Sequence, residues 1–431
     1  MDPDRYHNPA EELLEREPLQ QLQRQRLARQ LQEITGPNRF YTRKFAGISF
    51  DPLRDPLDKL PFTTRKELEA DQLENPRYGT NLTYPLERYC RLHQTSGSSG
   101  RPMRWLDTPE SWRWFKSLWA TIYRAAGLKP GERLLFPFSF GPFIGFWAAF
   151  EAAVDMGNLA MSAGGMTTIS RLQLLFDHEI DFVCCTPTYA LHMAEVARRE
   201  KIDLAASSVS RLVVAGEPGG SIPEIRNRIE AEWGARVHDH TGMTEIGAIG
   251  FECHENPGAV HLNESHCIAE VIDPATGQVV PDGELGELVL TNLGRWASPL
   301  IRYRTNDQVR LVRDQCRCGR WFTRMQGGIL GRYDDMITVR GNNVFPSGIE
   351  SVIRKFPEIA EFRVTVVGTG ALAEVKIELE PAHPDTACDL AERVARAVQN
   401  ALSFRAQVLT VACGSLPRFE LKARRFIRTT S

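Results

Sequence analysis

The sequence has no long apolar run, no large excess of charge of one sign and no fixed-period repeat. No stretch reaches the roughly 18 apolar residues of a membrane-spanning helix, so we expect no membrane as a partner. The formal net charge is −2 at pH 7, which gives no electrostatic support to nucleic-acid binding. These absences leave a globular protein of ordinary composition, with 42% hydrophobic and 25% charged residues.

Cysteine usage excludes a further class. The nine cysteines are an odd number and are scattered along 431 residues, so we expect no disulfide framework. The first residues, MDPDRYHNPAEELLEREP, are acidic and polar and do not resemble a secretory signal. Both observations favour a reducing compartment, and we expect a cytoplasmic protein.

Two local patterns near the start of the chain predict helices. Leucines recur at spacings near three and four in residues 9–33, and Pro18 is expected to divide this stretch into two helices. In LPFTTRKELEADQ, Thr64 is a predicted N-cap and Glu67 follows three residues later, which is the pattern of a capping box.

The middle of the chain alternates between strand-like and helix-like runs. DFVCCT precedes PTYALHMAEVARREKI, and RLVVAGEP precedes IPEIRNRIEAEWG, which predicts a parallel sheet covered by helices. After about residue 333 the pattern changes to a smaller α+β unit. We therefore expect an α/β fold with a large domain of helix-covered sheets, residues 1–333, and a small mobile α+β domain, residues 334–431.

A Ser/Gly-rich stretch, TSGSSGRP at residues 95–102, is the most unusual segment. Small residues allow backbone N–H groups to approach an anion closely, and hydroxyl groups add donors. The stretch lacks the Gly-Lys-Ser/Thr of a Walker loop, and no G-x-G-x-x-G follows a predicted strand, which argues against a Rossmann dehydrogenase. By itself it predicts either a phosphate loop or a flexible surface turn.

Further motifs, in order along the chain, favour the phosphate loop. They are AGEP, HTGMTE, GELGELVLTNL, IRYRTND, GRYDDMITVRGNNVFPSGIE and LPRFELKARR. Together with TSGSSGRP they resemble the adenylate-forming superfamily of acyl-CoA synthetases, peptide-synthetase adenylation domains and luciferases. The segments YTRKFAG, LPFTTRKEL, CCTPTYAL, CRCGR and NNVFPSGIE are most similar to the phenylacetate-CoA ligase group. The resemblance covers roughly residues 38–425.

The resemblance implies a reaction in two halves. A carboxylate attacks the α-phosphorus of ATP to give an acyl-adenylate and pyrophosphate, and the thiol of coenzyme A then displaces AMP. Loop residues are expected to bind the pyrophosphate: Thr95, Ser96, Gly97, Ser98, Ser99, Gly100 and Arg101. Thr244 is expected to contact the α-phosphate and Glu245 to hold Mg²⁺. The alternative for Glu245 is a carboxylate at the start of a helix.

The nucleoside is expected to contact two further segments. Asp307 would accept hydrogen bonds from the ribose hydroxyl groups. Asn306 stands where the group usually has glycine, and asparagine tolerates left-handed backbone. The adenine pocket is expected at Ala215, Gly216, Glu217, Pro218 and Thr241. The family commonly has an aromatic ring at the place of Thr241, so the base packs either on aliphatic surface or on another ring such as Phe251.

Three residues near the end of the chain are expected to act in catalysis. Lys422 aligns with the lysine of the small domain that stabilises the pentavalent phosphorus, and its alternative is a surface lysine in a basic tail. Asp334 lies where the family has its hinge, and Arg332 is expected to contact the nucleotide beside it.

The acid pocket is expected to be apolar and flat, which suits an aromatic ring. Its predicted residues are Phe138, Phe140, Phe143, His240, Gly242, Met243 and Ile246. His240 is expected to contact a ring hydroxyl or amine, so we expect a hydroxy- or aminobenzoate, or a phenylacetate-like acid.

A separate set of residues could bind structural zinc. Cys253, His261, Cys316 and Cys318 offer three thiols and an imidazole, which suit a tetrahedral site. The rival ligands are His254, His266 and Cys267, and the alternative is a group of thiols without metal. Members of the phenylacetate-CoA ligase group often carry similar residues.

Alternatives for the function remain open at this stage. The acceptor could be a carrier-protein thiol or another nucleophile in natural-product biosynthesis, or the chain could be a non-catalytic nucleotide-binding protein. The resemblance also favours a homodimer.

Overall fold

The computed structural model describes residues 3–95, 102–339, 342–368, 374–386, 388–419 and 423–429. It has a large mixed sheet and a separate small C-terminal domain, which confirms the predicted α/β class. No helix in these ranges combines the length and apolar character needed to cross a membrane.

The helices are short to medium in length and most of them precede or follow a strand. They are α1 (Pro9–Glu12), α2 (Arg16–Ile34), α3 (Arg39–Lys44), α4 (Arg65–Glu74), α5 (Pro109–Ala125), α6 (Trp147–Asp155), α7 (Thr168–Asp177), α8 (Pro187–Arg199), α9 (Pro223–Trp233), α10 (Pro346–Ile353) and α11 (Leu390–Leu402).

The strands of the large domain come first in the chain. They are β1 (Arg91–Gln94), β2 (Arg104–Asp107), β3 (Arg133–Phe136), β4 (Leu159–Ser162), β5 (Phe182–Cys185), β6 (Arg211–Ala215), β7 (Arg236–Met243), β8 (Gly247–Glu252), β9 (Ala259–Leu262), β10 (Cys267–Ile272), β11 (Leu285–Asn292), β12 (Tyr303–Val312), β13 (Arg324–Gln326) and β14 (Gly331–Arg332). The later strands are β15 (Ile337–Val339), β16 (Asn342–Val344), β17 (Ile359–Val367), β18 (Glu374–Pro381), β19 (Gln407–Thr410) and β20 (Phe426–Thr429).

The large sheet changes character along its length. Its order is β10-β11-β12-β13-β9-β8-β7-β6-β5-β3-β4, and β14 pairs with β12. From β4 to β7 the strands are parallel, as the alternating pattern predicts, and from β7 to β10 neighbouring strands are antiparallel. All four residues of β5 are buried, as expected for a parallel strand with helices on both faces.

The N-terminal helices differ from the prediction at one point. The break lies at residues 13–15, between α1 and α2, and not at Pro18. Pro18 lies in the first turn of α2, where its missing N–H group costs no helical hydrogen bond. The predicted capping box is confirmed: the Glu67 N–H donates to Thr64 Oγ1, and the Thr64 N–H donates to the Glu67 carboxylate.

The small domain has a hydrophobic core of its own. β17 and β18 pair antiparallel, as predicted, while β19 lies parallel to β18 and β20 parallel to β17. Buried side chains of α10 and α11 pack against this sheet. The core is assembled from residues 337–404, so it does not depend on side chains of the large domain.

Candidate active site

Two of the predicted motifs meet at the ends of neighbouring strands. Ala215, the last residue of β6, lies opposite His240 in β7. The AGEP turn therefore follows β6 beside the HTGMTE segment, at the carboxyl edge of the parallel strands, where sites in such sheets form. At Gly242 a Cβ atom would lie 3.1 Å from His240 Nε2, so glycine keeps space open beside this ring.

Glu245 lies in the turn between β7 and β8, so the helix-start alternative is wrong. Its side chain is buried, and Oε1 lies 3.7 Å from Arg65 Nη1. Arg65 begins α4 and was not identified from the sequence as a site residue. Its Nε donates to Glu69 at 2.7 Å, while Nη2 is buried and has no hydrogen-bond partner among the described residues, so one donor remains for an anion.

Arg295 binds the backbone of the turn that contains Glu245. Its Nη1 donates to the carbonyl oxygens of Thr244 and Glu245 at 2.6 and 2.8 Å. The guanidinium is in turn paired with the carboxylate of Asp107, the last residue of β2, at 2.8 and 2.6 Å. The buried pair therefore fixes the turn that presents the Glu245 carboxylate.

Asp307 is a buried carboxylate with spare hydrogen-bonding capacity. It lies opposite Arg332 in the pairing of β12 with β14, and its Oδ1 is 3.3 Å from Arg332 Nη1. Oδ2 is buried and has no partner among the described residues. Burial raises the pKa of Asp307 to about 6, although Arg332 acts in the opposite direction. Asn306 has φ of 62°, the left-handed conformation expected there.

The residues predicted for the metal and the ribose interact electrostatically. The charge of Glu245 contributes to the raised pKa values of both Asp307 and Tyr303, in addition to the larger effect of burial. The charge of Arg332 opposes this rise for both residues, but both pKa values remain above their usual values. Glu245 and Asp307 therefore lie within electrostatic range of each other, with Arg65 and Arg332 as the nearby cations.

The predicted phosphate loop connects β1 and β2, which form an antiparallel hairpin. Thr95 is buried, its N–H donates to the Met103 carbonyl, and its Oγ1 accepts from the Met103 N–H at 3.1 Å. The remaining predicted contacts, Ser96, Gly97, Ser98, Ser99, Gly100 and Arg101, lie outside the described residues. Because β2 ends at Asp107, the hairpin is connected through Arg295 to the Glu245 turn.

Part of the predicted acid pocket is a chain of aromatic rings. Phe138 packs edge-on against Phe140 and Phe146, with centroids 5.8 and 5.4 Å apart. Phe146 contacts Trp119, whose ring lies 4.5 Å from that of His240. Trp119 and Phe146 were missed from the sequence, although ESWRWFKSLWATIY in α5 is rich in aromatic residues.

Exposure separates the remaining residues predicted for this pocket. Phe143 is 39% exposed, so it does not form an enclosed wall as expected. Ile246 is fully buried, and Met243 is partly buried against the core. Gly242 lies between these residues and His240 in the chain. Phe138 and Phe140 are partly buried against the core, whereas Phe143 is not.

His240 has one ring nitrogen occupied. Its Nδ1 and the Gly250 carbonyl oxygen are 2.6 Å apart, a distance at which Nδ1–H donates. Burial lowers the pKa of His240 to about 4, so the ring is neutral near pH 7. In this tautomer Nε2 is a hydrogen-bond acceptor.

The predicted adenine segment includes two residues with other roles. Phe251 is 1% exposed and stacks on His261, so it cannot replace the missing aromatic ring at Thr241. Both Glu217 carboxylate oxygens accept backbone N–H groups, from Thr188 at 2.9 Å and from Ala423 at 2.8 Å. The rest of the turn makes no hydrogen bond to the small domain among the described residues. It consists of Ala215, Gly216 and Pro218.

The predicted hinge residue lies beside Asn306. Asp334 is exposed in a 3-10 turn, Tyr333–Asp335, and its carboxylate accepts from Asn306 Nδ2 at 3.2 Å. Arg428 of β20 donates to the carbonyl oxygens of residues 334–336. Lys422 lies outside the described residues, which resume at Ala423.

The four predicted zinc ligands come together away from this site. The ligand atoms of Cys253, His261, Cys316 and Cys318 lie within 4.8 Å of one another, and all four residues are buried. His261 Nδ1 is 3.1 Å from the Phe322 carbonyl, so Nδ1–H donates there and Nε2 is left for the thiols, 3.6 Å from Cys318 Sγ. Three thiols and an imidazole in this arrangement fit tetrahedral zinc.

The rival zinc ligands have other contacts. The His254 ring lies against Arg236, and His266 Nδ1 accepts from Trp114 Nε1 at 3.1 Å. Cys267 Sγ donates to the Asn263 carbonyl at 3.3 Å. None of the three belongs to the four-residue group found among the described residues.

The first residues of the chain cover the four-residue group. Tyr6 Oη donates to the Cys318 carbonyl at 2.5 Å. Arg320 pairs with Glu12 at 2.5 Å and donates to Cys318 Sγ at 3.6 Å. The side chains of Glu12 and Arg320 are almost completely buried, so the N-terminal segment is fixed to this part of the fold.

Comparisons with known proteins agree over nearly the whole chain. Residues 58–294 match the AMP-binding enzyme family, and residues 341–429 match the AMP-binding enzyme C-terminal domain. A phenylacetate-coenzyme A ligase of Thermus thermophilus is 31% identical over 440 residues, which cover 96% of this chain and 97% of that protein.

Two similar solved structures show one ligase in two states. A 2-hydroxyisobutyryl-CoA ligase in the postadenylation state, in complex with 2-HIB-AMP, has a TM-score of 0.93 at 29% identity and covers 100% of this chain and 93% of that one. The same ligase with 2-HIB-AMP and CoA in the thioesterification state has a TM-score of 0.75 at 29% identity, with 99% and 93% covered. The structure of this chain is thus more similar to the postadenylation structure than to the thioesterification structure.

Proposed function

The chain belongs to the AMP-binding enzyme family, and from this premise we propose that it is an AMP-forming ligase that joins an aromatic carboxylic acid to coenzyme A. In the first half-reaction the carboxylate attacks the α-phosphorus of ATP, and pyrophosphate leaves. In the second, the thiol of coenzyme A attacks the acyl carbon, and AMP leaves with the electron pair of the broken C–O bond.

The buried carboxylate of Asp307 is the observation that carries this proposal. A buried oxygen without a partner costs free energy unless the bound state supplies a donor. The two ribose hydroxyl groups of ATP are donors of the right kind. Arg332 beside it keeps the carboxylate in place and adds positive charge near the nucleotide.

Glu245 is proposed to face the phosphate groups. Its carboxylate suits Mg²⁺, which would neutralise phosphate charge as pyrophosphate departs. Arg65 lies 3.7 Å from this carboxylate and has a free donor for a phosphate oxygen. Thr244 is proposed to contact the α-phosphate, while residues 95–101 bind the departing pyrophosphate and Lys422 stabilises the pentavalent phosphorus.

The aromatic rings near His240 support an aryl acid as the substrate. Phe138, Phe140 and Phe146 offer flat apolar surface, and the neutral His240 offers an acceptor at Nε2. A ring hydroxyl or amino group on the substrate would donate to Nε2, whereas an unsubstituted ring offers no such donor. We therefore propose a hydroxy- or aminobenzoate-like acid.

Structural zinc is proposed for Cys253, His261, Cys316 and Cys318. The donor set and its burial support this proposal, and the contacts of Tyr6 and Glu12 above it suggest that the metal would stabilise the N-terminal segment. We also propose the domain boundary near residue 333, because Asp334 begins the segment that leads into the small core.

An ATP–pyrophosphate exchange panel tests the function. The purified chain is incubated with labelled pyrophosphate, MgATP and one acid at a time from benzoates, phenylacetates and fatty acids. We expect the fastest exchange with hydroxy- or aminobenzoates, and addition of coenzyme A is expected to convert the same acid to its thioester. A preference for fatty acids would contradict the aromatic substrate, and exchange with no thioester would contradict coenzyme A as the acceptor.

A further inference from the structure

The segment on either side of Lys422 is attached to the large domain at two points. We call the residues on its two sides, 416–419 and 423–425, the lysine segment. Residues 416–419 and 423–425 are described, and both parts contact the same region of the large domain. That region consists of α8 and the turn after β6.

The first attachment is an ion pair between Arg418 and Glu195 of α8. Arg418 Nε lies 3.0 Å from Glu195 Oε2, and Nη2 lies 3.0 Å from Glu195 Oε1. The same guanidinium reaches back to Glu380 of the small domain at 2.6 Å. Glu380 is almost completely buried, whereas the Glu195 side chain is 41% exposed. Arg418 is therefore anchored in its own domain and makes a weaker, solvent-facing contact with α8.

The second attachment is a hydrogen bond to the residue that follows Lys422. The N–H of Ala423 donates to Glu217 Oε2 at 2.8 Å, and the other oxygen of Glu217 accepts from the N–H of Thr188. Arg425 Nη1 donates to Thr188 Oγ1 at 3.1 Å, while its other nitrogens bind Glu361 of the small domain. Glu217 thus connects the N-terminus of α8 directly to the backbone next to the lysine.

The chemical nature of these contacts matters for an enzyme with two half-reactions. A hydrogen bond to the backbone N–H of Ala423 fixes the main chain at this residue and uses no side-chain atom of the segment. The Arg418–Glu195 contact is partly exposed, so water can replace each partner when this contact breaks. The two carboxylates therefore position the lysine segment through contacts that can be broken.

We propose that Glu195 and Glu217 are positioning residues that hold the lysine segment against α8, so that Lys422 is presented to the nucleotide during adenylation. The contacts are released when the small domain turns for thioester formation. This inference rests on the proposed function, because it needs two half-reactions and a role for Lys422. The higher TM-score with the postadenylation structure than with the thioesterification structure agrees with an arrangement in which the attachments are made.

The test separates the two half-reactions in Glu195→Gln and Glu217→Gln. Adenylation is measured by ATP–pyrophosphate exchange with the preferred aromatic acid, and thioester formation is measured from supplied acyl-adenylate and coenzyme A. We expect exchange to fall about 2- to 5-fold in Glu195→Gln and about 10-fold or more in Glu217→Gln, with thioester formation from acyl-adenylate unchanged or faster.

A matched control lies on the large domain. Glu232 of α9 pairs with Arg198 of α8, so Glu232→Gln removes an ion pair of the same helix that does not involve the lysine segment. Both half-reactions are expected to equal those of the wild type. An equal loss of both half-reactions in Glu195→Gln or Glu217→Gln would indicate a general structural effect and would overturn the proposal.

A second measurement asks whether the two carboxylates act through Lys422. In a Lys422→Ala background, Glu217→Gln is expected to cause no further loss of exchange, because residues that act through one another are not additive. Additive losses would overturn the proposal. If wild type exchanges and Lys422→Ala is impaired while both carboxylate variants match wild type, only this inference fails. If none of the tested acids supports ATP–pyrophosphate exchange by the wild type, the proposed function itself fails.

Discussion

Asp107 and Arg295 form an ion pair in which neither side chain has any exposed surface. The pair connects the strand after the predicted phosphate loop with the backbone carbonyls of Thr244 and Glu245. The rings of Trp105 and Phe115 lie within 5.3 and 4.7 Å of the guanidinium, so little water can replace a lost partner.

Arg295→Met is therefore expected to lower the free energy of unfolding by about 3–5 kcal/mol, because it leaves the Asp107 charge buried and unpaired. Urea denaturation measures this loss. Arg113→Met, which removes an exposed arginine from the neighbouring helix α5, is expected to change stability by less than about 0.5 kcal/mol. Equal effects of the two substitutions would contradict the structural importance of the pair.

Asp307→Asn is expected to weaken ATP use and to strengthen the fold. The loss of charge toward the ribose hydroxyls should lower kcat/KM for ATP about 10- to 100-fold. The raised pKa of about 6 means that ionising Asp307 at neutral pH costs stability, and that its stability contribution is lost as pH rises through about 6. At pH 8 the variant should gain about 1–3 kcal/mol in unfolding free energy.

Two measurements check this prediction. Wild-type kcat/KM for ATP should fall below about pH 6 as Asp307 becomes protonated, and this dependence should disappear in Asp307→Asn. Asp385→Asn, an exposed carboxylate of the small domain, should leave kinetics and stability unchanged. If Asp307→Asn binds ATP as the wild type does, Asp307 does not bind the ribose.

His240→Leu is expected to change substrate preference. A hydroxybenzoate should lose about 5- to 10-fold in kcat/KM relative to benzoate, because the acceptor for its hydroxyl group is gone. The measurement is the ratio of the kcat/KM values for the two acids in the same preparation. A difference in the fraction of active enzyme does not change this ratio. Because burial lowers the pKa of His240 to about 4, the wild-type preference should be constant between about pH 6 and pH 8. An unchanged ratio would remove His240 from the pocket.

Cys316→Ser is expected to reduce zinc content and thermal stability together. Wild type should contain about one zinc per chain by elemental analysis, and the variant should contain much less. Loss of the metal should lower Tm by about 5 °C or more. Cys388→Ser, which alters an exposed cysteine outside the group, is the control and should keep both values. Less than about 0.2 zinc per wild-type chain would dispose of the metal.

Asp334→Pro is expected to slow thioester formation more than adenylation. Proline fixes φ near −65°, so a residue that must change its backbone conformation between half-reactions can no longer do so. We expect about a 10-fold or larger loss of thioester formation from supplied acyl-adenylate. Asp334→Ala keeps backbone freedom and should retain this step. An equal effect of alanine and proline would show that the side chain, and not rotation, is what matters.

Much of the architecture follows from local sequence. The capping box at Thr64 and Glu67, the parallel strands and the left-handed Asn306 depend on neighbouring residues, which a sequence displays directly. The break before α2 was misplaced because proline is harmless in the first turn of a helix, and the pattern does not reveal where that turn begins.

The missed residues are tertiary contacts of high sequence separation. Arg65 and Glu245 are 180 positions apart in the numbering, and nothing in LPFTTRKEL reveals where its arginine will lie. The same holds for Trp119 against His240 and for Glu217 against Ala423. The order of the motifs was enough to predict which segments form the site. The residues that orient each motif could be identified only from the folded chain.

The self-contained core of the small domain has a thermodynamic consequence. Because residues 337–404 bury their apolar side chains among themselves, and the contacts around the lysine segment are hydrogen bonds and ion pairs, turning this domain uncovers little hydrocarbon surface. The heat capacities of the two arrangements should then be nearly equal. The enthalpy difference between the two arrangements would then change little with temperature, so a van't Hoff plot of their populations should be close to a straight line.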